Sequence, residues 1–454
     1  MPKIFKNKDE ILNSFNKKGR DTALQALEWG IRGAHPKRSI RNHASVSGTK
    51  LHIFGEELDL SKFKNVWILG AGKASHQMAE EIESGLEERI TGGKIVTKYG
   101  YGKKNLGNVD TLEAGHPIPD ENGLKAGKEV LQLAKDSGER DLVINLISGG
   151  GSALLCAPVD GIKLEEIKET TDLLVSCGAS IDEINSVRKH ISRVKGGKLA
   201  SAIHPAKTIS LIVSDVVGDD LEIISSGPTA PDGTTFEDAR KTLERYSLME
   251  KVPQSIIENL NGRENEETLK EGDFGDLDVT NLIISSNDVA TEAAAEKGRE
   301  MGLDTLILSR MIEGESREVG IATGGIVRDI VRSNTPLKPP CLLISGGETT
   351  VTIEEGKGEG GPNQEFVLGA AQKISGVEKV AIAAVDTDGT DGPTDVAGGI
   401  VDGKTVERLK DTGLELEEVL RTHDAKSALE GINDVLVTGP TGTNVTDLRV
   451  AVVL

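Results

Sequence analysis

The sequence has little of what would mark it for a membrane, a secretory route or nucleic acid. No apolar run approaches the roughly 18 residues that cross a bilayer, so no membrane partner is expected. The N-terminal string MPKIFKNKDE is polar and charged and has no apolar h-region, which predicts no secretory signal. Only three cysteines occur, Cys156, Cys177 and Cys341, far apart and without CxxC spacing. That set predicts reduced thiols and a cytoplasmic location, not a disulfide framework or a zinc site. Basic charge is in deficit: 53 Lys and Arg against 73 Asp and Glu leave a net charge of −20. Bulk nucleic-acid binding needs a basic footprint, so no nucleic-acid partner is expected. An anionic small molecule stays open, because a local basic cleft can sit in an acidic surface. The eight histidines are scattered without an HExxH, and no GxSxG elbow appears, so a hydrolase triad has no support.

Glycine, by contrast, is abundant, with 53 residues clustered after apolar runs and without period. Such placement belongs to the ligand-binding turns of α/β folds. The string LISGG occurs twice, in NLISGGGSALL (145–155) and LLISGGETTVT (342–352). Around the first copy, apolar strands alternate with helical patterns: strands at 65–71, 93–100, 141–147 and 208–220, and helices near 8–34, 123–138 and 164–178. Strands apolar throughout predict a parallel sheet covered on both faces. The stretch 228–276 is turn-rich, then acidic and poor in apolar residues, and the domain boundary is expected within it. The expected organisation is a larger N-terminal Rossmann-like α/β domain over 1–250 and a smaller C-terminal α/β domain over 279–454. The last strand, 448–454, could pair in either sheet.

Several strings carry chemistry. In WILGAGKAS, Gly70-x-Gly72 follows a strand, but Ser75 holds the third position of a dinucleotide fingerprint. The next strand ends at Lys98 where an acidic ribose partner belongs, which argues against a nicotinamide cofactor. Lys73 instead puts a fixed cation beside a helix start, suited to a phosphate or a carboxylate. The loop Ser148-Gly149-Gly150-Gly151-Ser152 aims backbone N–H groups at one point and adds two hydroxyls, without the Gly-Lys-Ser/Thr ending of a Walker loop. INSVRKHISRVKGGKLA concentrates Arg188, Lys189, Arg193, Lys195 and Lys198 in eleven residues of an acidic chain. Arg188 suits a bidentate hold on an oxyanion, and Lys195 is another cation beside a glycine turn. Asp215 lies at a strand end. Gly346, Gly347 and Glu348 form the second platform, and Asn363 and Gln364 start a helix. Asp386 and Asp388 open a ten-residue acidic loop that fails the EF-hand pattern but can hold Mg²⁺ with phosphate oxygens.

Together these strings resemble the type II glycerate kinases with a C-terminal MOFRL domain. The matching strings are GAGKAS, SGGGSALL, INSVRKHISRVKGGKLA, SDVVGDDLEIISSGPT, GGETTVTI, GGPNQEF, DGTDGPTDVAGG and TGPTGTNVTDL, in family order from about residue 65 to the end. The resemblance implies ATP- and Mg²⁺-dependent phosphorylation of D-glycerate to 2-phosphoglycerate in a cleft between two α/β domains, by a monomer or homodimer. Lys73 matches the family's essential lysine. Ser75, Ser148 to Ser152, Asn185, Arg188 and Lys195 fall in motifs that face the cleft. Lys73 would stabilise the transferring group, Asp215 or Glu348 would take the hydroxyl proton, and Asp386 or Asp388 would hold the metal. Which glycine loop holds ATP stays open. Pro362 stands where many members have an arginine, so either Arg188, Lys195 or Lys198 supplies that charge or the nucleotide is held differently. Members are sometimes labelled hydroxypyruvate reductase, and NAD(P)H-dependent reduction is the alternative. A non-catalytic ligand-binding module is the third reading.

Overall fold

A computed structural model describes residues 3–13, 15–102, 106–262, 267–353 and 358–454. The chain forms two units, one of Ser39–Ile284 and one that joins Met1–Arg38 to Ser285–Leu454.

The 39–284 unit begins with a small antiparallel ribbon, β1 (Ala44–Ser47), β2 (Lys50–Ile53) and β3 (Glu56–Asp59). Its main sheet contains β4 (Asn65–Ala71), β5 (Gly92–Lys98), β6 (Val109–Ala114), β7 (Asp141–Ile147), β8 (Lys207–Val213) and β9 (Val279–Ser285), in the order β6-β5-β4-β7-β8-β9. Pairing is parallel from β6 to β8. The central β7 is buried at every position, as its unbroken apolar run requires when helices cover both faces. Because β4 and β7 are parallel neighbours, the glycine turns that follow them leave the sheet at the same edge.

The other unit contains β10 (Asp304–Ile312), β11 (Cys341–Gly347), β12 (Val380–Asp386), β13 (Gly398–Asp402), β14 (Val435–Leu436) and β15 (Asp447–Val453), ordered β10-β11-β15-β12-β13-β14. This sheet is mixed: β10 and β11 are parallel, and β15 runs antiparallel to both neighbours. Alternate residues of β11 feed two cores. Leu343 joins the core under helices 316–333 and 362–374, while Leu342 and Ile344 join the core that includes Phe5, Leu24, Leu27 and Ile31.

Two expectations about domain bounds are corrected here. Residues 1–38 do not belong with the N-terminal sheet. The amphipathic helix Lys17–Gly33, capped by the Asn16 side chain, lays Leu24, Leu27 and Ile31 on the C-terminal sheet. Gly30 permits that approach, since a Cβ there would meet the Leu448 side chain and the Ala290 carbonyl. Arg20 is fully buried and bonded to Asp402 at 2.7 Å and Asp434 at 2.6 Å, which fixes the helix chemically. At the other bound, 279–284 forms β9 of the N-terminal sheet rather than the start of the C-terminal region. The units therefore change over at 284 and 285, outside the 228–276 stretch, of which residues 263–266 lie outside the described residues. The last strand pairs in the C-terminal sheet. The expected 8–34 helix is two helices, Lys8–Ile11 and Lys17–Gly33. Among the described residues no helix is long and apolar enough to cross a membrane, and the three cysteines are unpaired thiols.

Candidate functional site

In the 39–284 unit the turns after β4 and β7 are locked together. The Lys73 N–H donates to the Gly149 carbonyl at 2.9 Å, the Ala74 N–H to Ser148 Oγ at 3.0 Å, and the Ser148 N–H to the Ala71 carbonyl at 3.0 Å. Glycine is required at two points of the second turn. Gly150 has φ of +82° and caps the short helix Gly151–Leu154. A Cβ on Gly149 would run into the Asp215 carboxylate, so Asp215 lies directly over the loop backbone. The Lys73 side chain passes beside Gly150 and His116. Lys73, the 148–152 loop and Asp215 thus share one place.

Ser75 is placed differently. It is buried, and its hydroxyl faces the Gly72 carbonyl at 2.8 Å and the Val96 carbonyl at 3.0 Å. It holds the turn from inside and presents no group to a ligand.

The basic cluster separates into two kinds of residue. Helix Ile181–His190 is set by a reciprocal Ser180–Glu183 cap. Lys189 is buried against Asp232 at 3.0 Å, and Arg193 pairs with Asp160 at 2.9 Å. The first is a buried ion pair and the second an exposed one. Asn185 and Arg188, three residues apart, share another helix face. Arg188 makes no hydrogen bond or ion pair among the described residues, and burial alone pulls its pKa down. Lys195 Nζ donates one hydrogen bond, to the Ser152 carbonyl at 2.6 Å, and meets no carboxylate among the described residues. Burial first, then the Arg188 charge, lowers its pKa to about 8, with only Cys156 acting in the other direction. Arg188 and Lys195 together line a small cavity of about 40 Å³ with Ser152, Cys156, Pro117 and Ile191. Two cations thus line one cavity, with no carboxylate partner for either among the described residues.

In the other unit the expected second platform is mostly turned inward. Gly346 is buried under the Asn287 side chain, and Gly347 lies against Ile312. Asn363 and Gln364 are fully buried. Their backbone and side-chain N–H groups make four hydrogen bonds to Asp391, at 2.9 to 3.1 Å, and Asn363 also donates to Asp447 at 2.6 Å. Asp391 therefore occupies the N-terminus of helix Pro362–Ile374, where Asn363 and Gln364 were expected to meet substrate or phosphate. Burial, aided by Asp447, pushes Asp391 up to about 7 despite those donors. Pro362 is the first residue of this helix, a position that needs no N–H donor. Glu348 is exposed. The string joining 346 to 366 includes residues 354–357, which lie outside the described residues.

Asp386 and Asp388 stand where β12 enters its loop, and Asp386 lies opposite Asp447 across the β12–β15 ladder. Burial, then the charges of Asp388 and Asp447, hold the Asp386 carboxyl well above the usual range. Arg449, bonded to Asp447, is the nearby cation. This excess of carboxylates fits a divalent cation held by one or two side chains plus ligand oxygens. Among the described residues no group of three or more His, Cys, Asp or Glu is arranged to hold a metal by itself. The contributions of Asp447 and Arg449 escaped the sequence reading, because only strand topology brings residue 447 opposite residue 386.

The comparisons divide the chain in a similar place, except that the first matching region begins at residue 22 and so takes in part of the helix that packs in the C-terminal unit. Residues 22–261 match the family described as "Domain of unknown function (DUF4147)" and residues 341–447 match the MOFRL family. The chain is 48% identical to "Glycerate 2-kinase" of Pyrococcus horikoshii, over 96% of this chain and 97% of that one. It is 40% identical to a "Putative hydroxypyruvate reductase" of Agrobacterium vitis, over 84% and 86%. The crystal structure of glycerate kinase from Thermotoga maritima superposes with a TM-score of 0.85 at 38% identity, covering 94% of this chain and 98% of that one. With both matching regions in order and near-complete coverage of its relatives, the chain belongs to the glycerate 2-kinase family built from DUF4147 and MOFRL regions.

Proposed function

We propose that this protein transfers the γ-phosphoryl group of ATP to D-glycerate and releases 2-phosphoglycerate. The observation that carries the reading is the Arg188–Lys195 pair, two cations in one cavity with no carboxylate partner among the described residues. A planar carboxylate such as that of glycerate satisfies the Arg188 fork and restores charge balance around Lys195. The N–H groups of Gly149 and Gly150 and the Lys73 ammonium provide donors at the adjacent turn, suited to charge on a transferring phosphoryl group. Asp215, over Gly149, accepts the hydroxyl proton as the oxygen attacks. In the other unit Asp386 and Asp388 would hold Mg²⁺, which supplies charge neutralisation for nucleotide phosphates. A nicotinamide reaction is less well supported, because β5 ends at Lys98 and offers no carboxylate to a ribose.

The test is phosphorus NMR of the purified protein with D-glycerate, ATP and Mg²⁺. A 2-phosphoglycerate resonance rising with ADP is expected. A 3-phosphoglycerate resonance would overturn the position of attack. Hydroxypyruvate-dependent loss of NADH without either phosphate product would replace the kinase by the reductase.

A further inference from the structure

The turn Ser225-Ser226-Gly227 has three successive left-handed residues, with φ of +53°, +62° and +59°. Two of them are not glycine. Such backbone persists only where surrounding contacts impose it, and it concentrates at functional sites. The contacts here reach Ser152 of the anion cavity and the turn that follows Lys195. Ser225 Oγ donates to the Ser148 carbonyl at 3.0 Å. The Ser226 carbonyl accepts from Gly196 N–H at 3.0 Å, and the Gly227 carbonyl accepts from Gly197 N–H at 2.8 Å. These two bonds hold the turn that begins at Lys195.

The Ser226 side chain adds a directional relay. Its hydroxyl donates to Asn185 Oδ1 at 3.0 Å and lies 2.8 Å from Ser152 Oγ. A hydroxyl has one proton. Since Asn185 Oδ1 only accepts, Ser226 spends its proton there, and Ser152 must donate to Ser226. The Ser152 carbonyl in turn receives Lys195 Nζ at 2.6 Å. Asn185, Ser226, Ser152 and Lys195 thus form one ordered chain, and Ser226, only 1% exposed, is its central link.

We propose that Ser226 is a positioning residue for the substrate-anion site, fixing the Lys195 ammonium and the Ser152 loop through its hydroxyl. This rests on the assignment of that site to the glycerate carboxylate. Ser226 touches no substrate itself. It acts by keeping Lys195 in a dry, defined place next to Arg188 and Cys156, the other charged or titratable groups that act on it.

Ser226→Gly separates the hydroxyl from the backbone, because glycine adopts the left-handed conformation without strain. A purely structural role predicts a lower Tm, from the two hydrogen bonds lost in the interior, with unchanged kinetics. The positioning role predicts in addition a KM for D-glycerate raised at least tenfold and an unchanged KM for ATP. A second readout does not depend on turnover: competitive acetylation of Lys195 followed by mass spectrometry across pH. In Ser226→Gly the apparent pKa of Lys195 is expected to rise toward that of a free lysine as water enters. Wild-type values of both the glycerate KM and the Lys195 titration in Ser226→Gly would overturn the proposal. If wild-type protein does not phosphorylate glycerate yet Ser226→Gly still shifts the Lys195 titration, the substrate assignment falls and the positioning role stands.

Discussion

Lys195 should cost the fold stability that it returns as binding, and Lys195→Met exposes both sides. Its pKa of about 8 in the folded protein, against an ordinary 10.5, places the penalty for keeping the ammonium buried at about 3 kcal/mol. Methionine fills a similar volume and removes that penalty. The lost hydrogen bond to the Ser152 carbonyl returns about 1 kcal/mol of it. The net expectation at pH 7 is a gain of about 2 kcal/mol, or roughly 4 to 8 °C in Tm. The sign of the pH dependence is fixed. Below pH 8 both folded and unfolded lysines are charged and the full penalty applies. Between 8 and 10.5 the folded protein has lost the proton while the unfolded chain keeps it, so wild-type stability rises with pH. Above 10.5 both are neutral and the penalty is gone. Calorimetric melts of wild type and variant at pH 7 and pH 10 should therefore show a difference that shrinks as pH rises. The variant should also lose at least tenfold in kcat/KM for glycerate, through the lost charged hydrogen bond. A Lys195→Met protein that melts below wild type at pH 7, or whose advantage does not change with pH, would refute the account of a desolvated cation awaiting an anion.

Lys73→Ala should lower kcat by about a hundredfold to a thousandfold with little change in Tm, as expected for one lost electrostatic donor; near wild-type turnover would remove Lys73 from the chemistry. Gly149→Ala drives a methyl group into the Asp215 carboxylate, so it should abolish turnover while circular dichroism shows a folded sheet. Arg20→Met removes the close partner of Asp402 and one of the two guanidinium partners of Asp434, which keeps Arg408, and should cost about 3 kcal/mol by denaturant unfolding. An effect below about 1 kcal/mol would mean that Arg408 alone suffices to hold both carboxylates.

Much of this architecture was legible because apolar periodicity reports local structure. The unbroken run of β7, the helix over 316–333 and the glycine turn at 148–152 announce themselves within ten or twenty residues. Partnership does not. Helix 17–33 is plainly amphipathic, yet nothing local says that its apolar stripe belongs to a sheet whose first strand begins at Asp304. Strand 279–285 likewise shows that it is a strand without showing which sheet takes it. The same limit applies to the site. Lys189, Arg188 and Lys195 look alike in a list of basic residues, and only the positions of Asp232 and Ser152 separate a buried ion pair from a cation available to ligand. Asn363 and Gln364 begin a helix after glycines, as phosphate-binding residues do, but Asp391 already fills that role from within the protein.

The strand order of the C-terminal sheet also sets a schedule for the nascent chain. Every strand of the 39–284 sheet has been synthesised once Ser285 is joined, so that unit can fold while translation continues. The other sheet cannot. Its central strand, β15, lies between β11 and β12 and is made after all the rest. Until then the Lys17–Gly33 helix waits without a completed surface to cover, and β11 and β12 each present an open apolar edge. A message truncated before residue 447 would leave those edges permanently unpaired, and its product would be directed to aggregation or proteolysis. The sheet closes only once β15 has been made, because no other strand lies between β11 and β12.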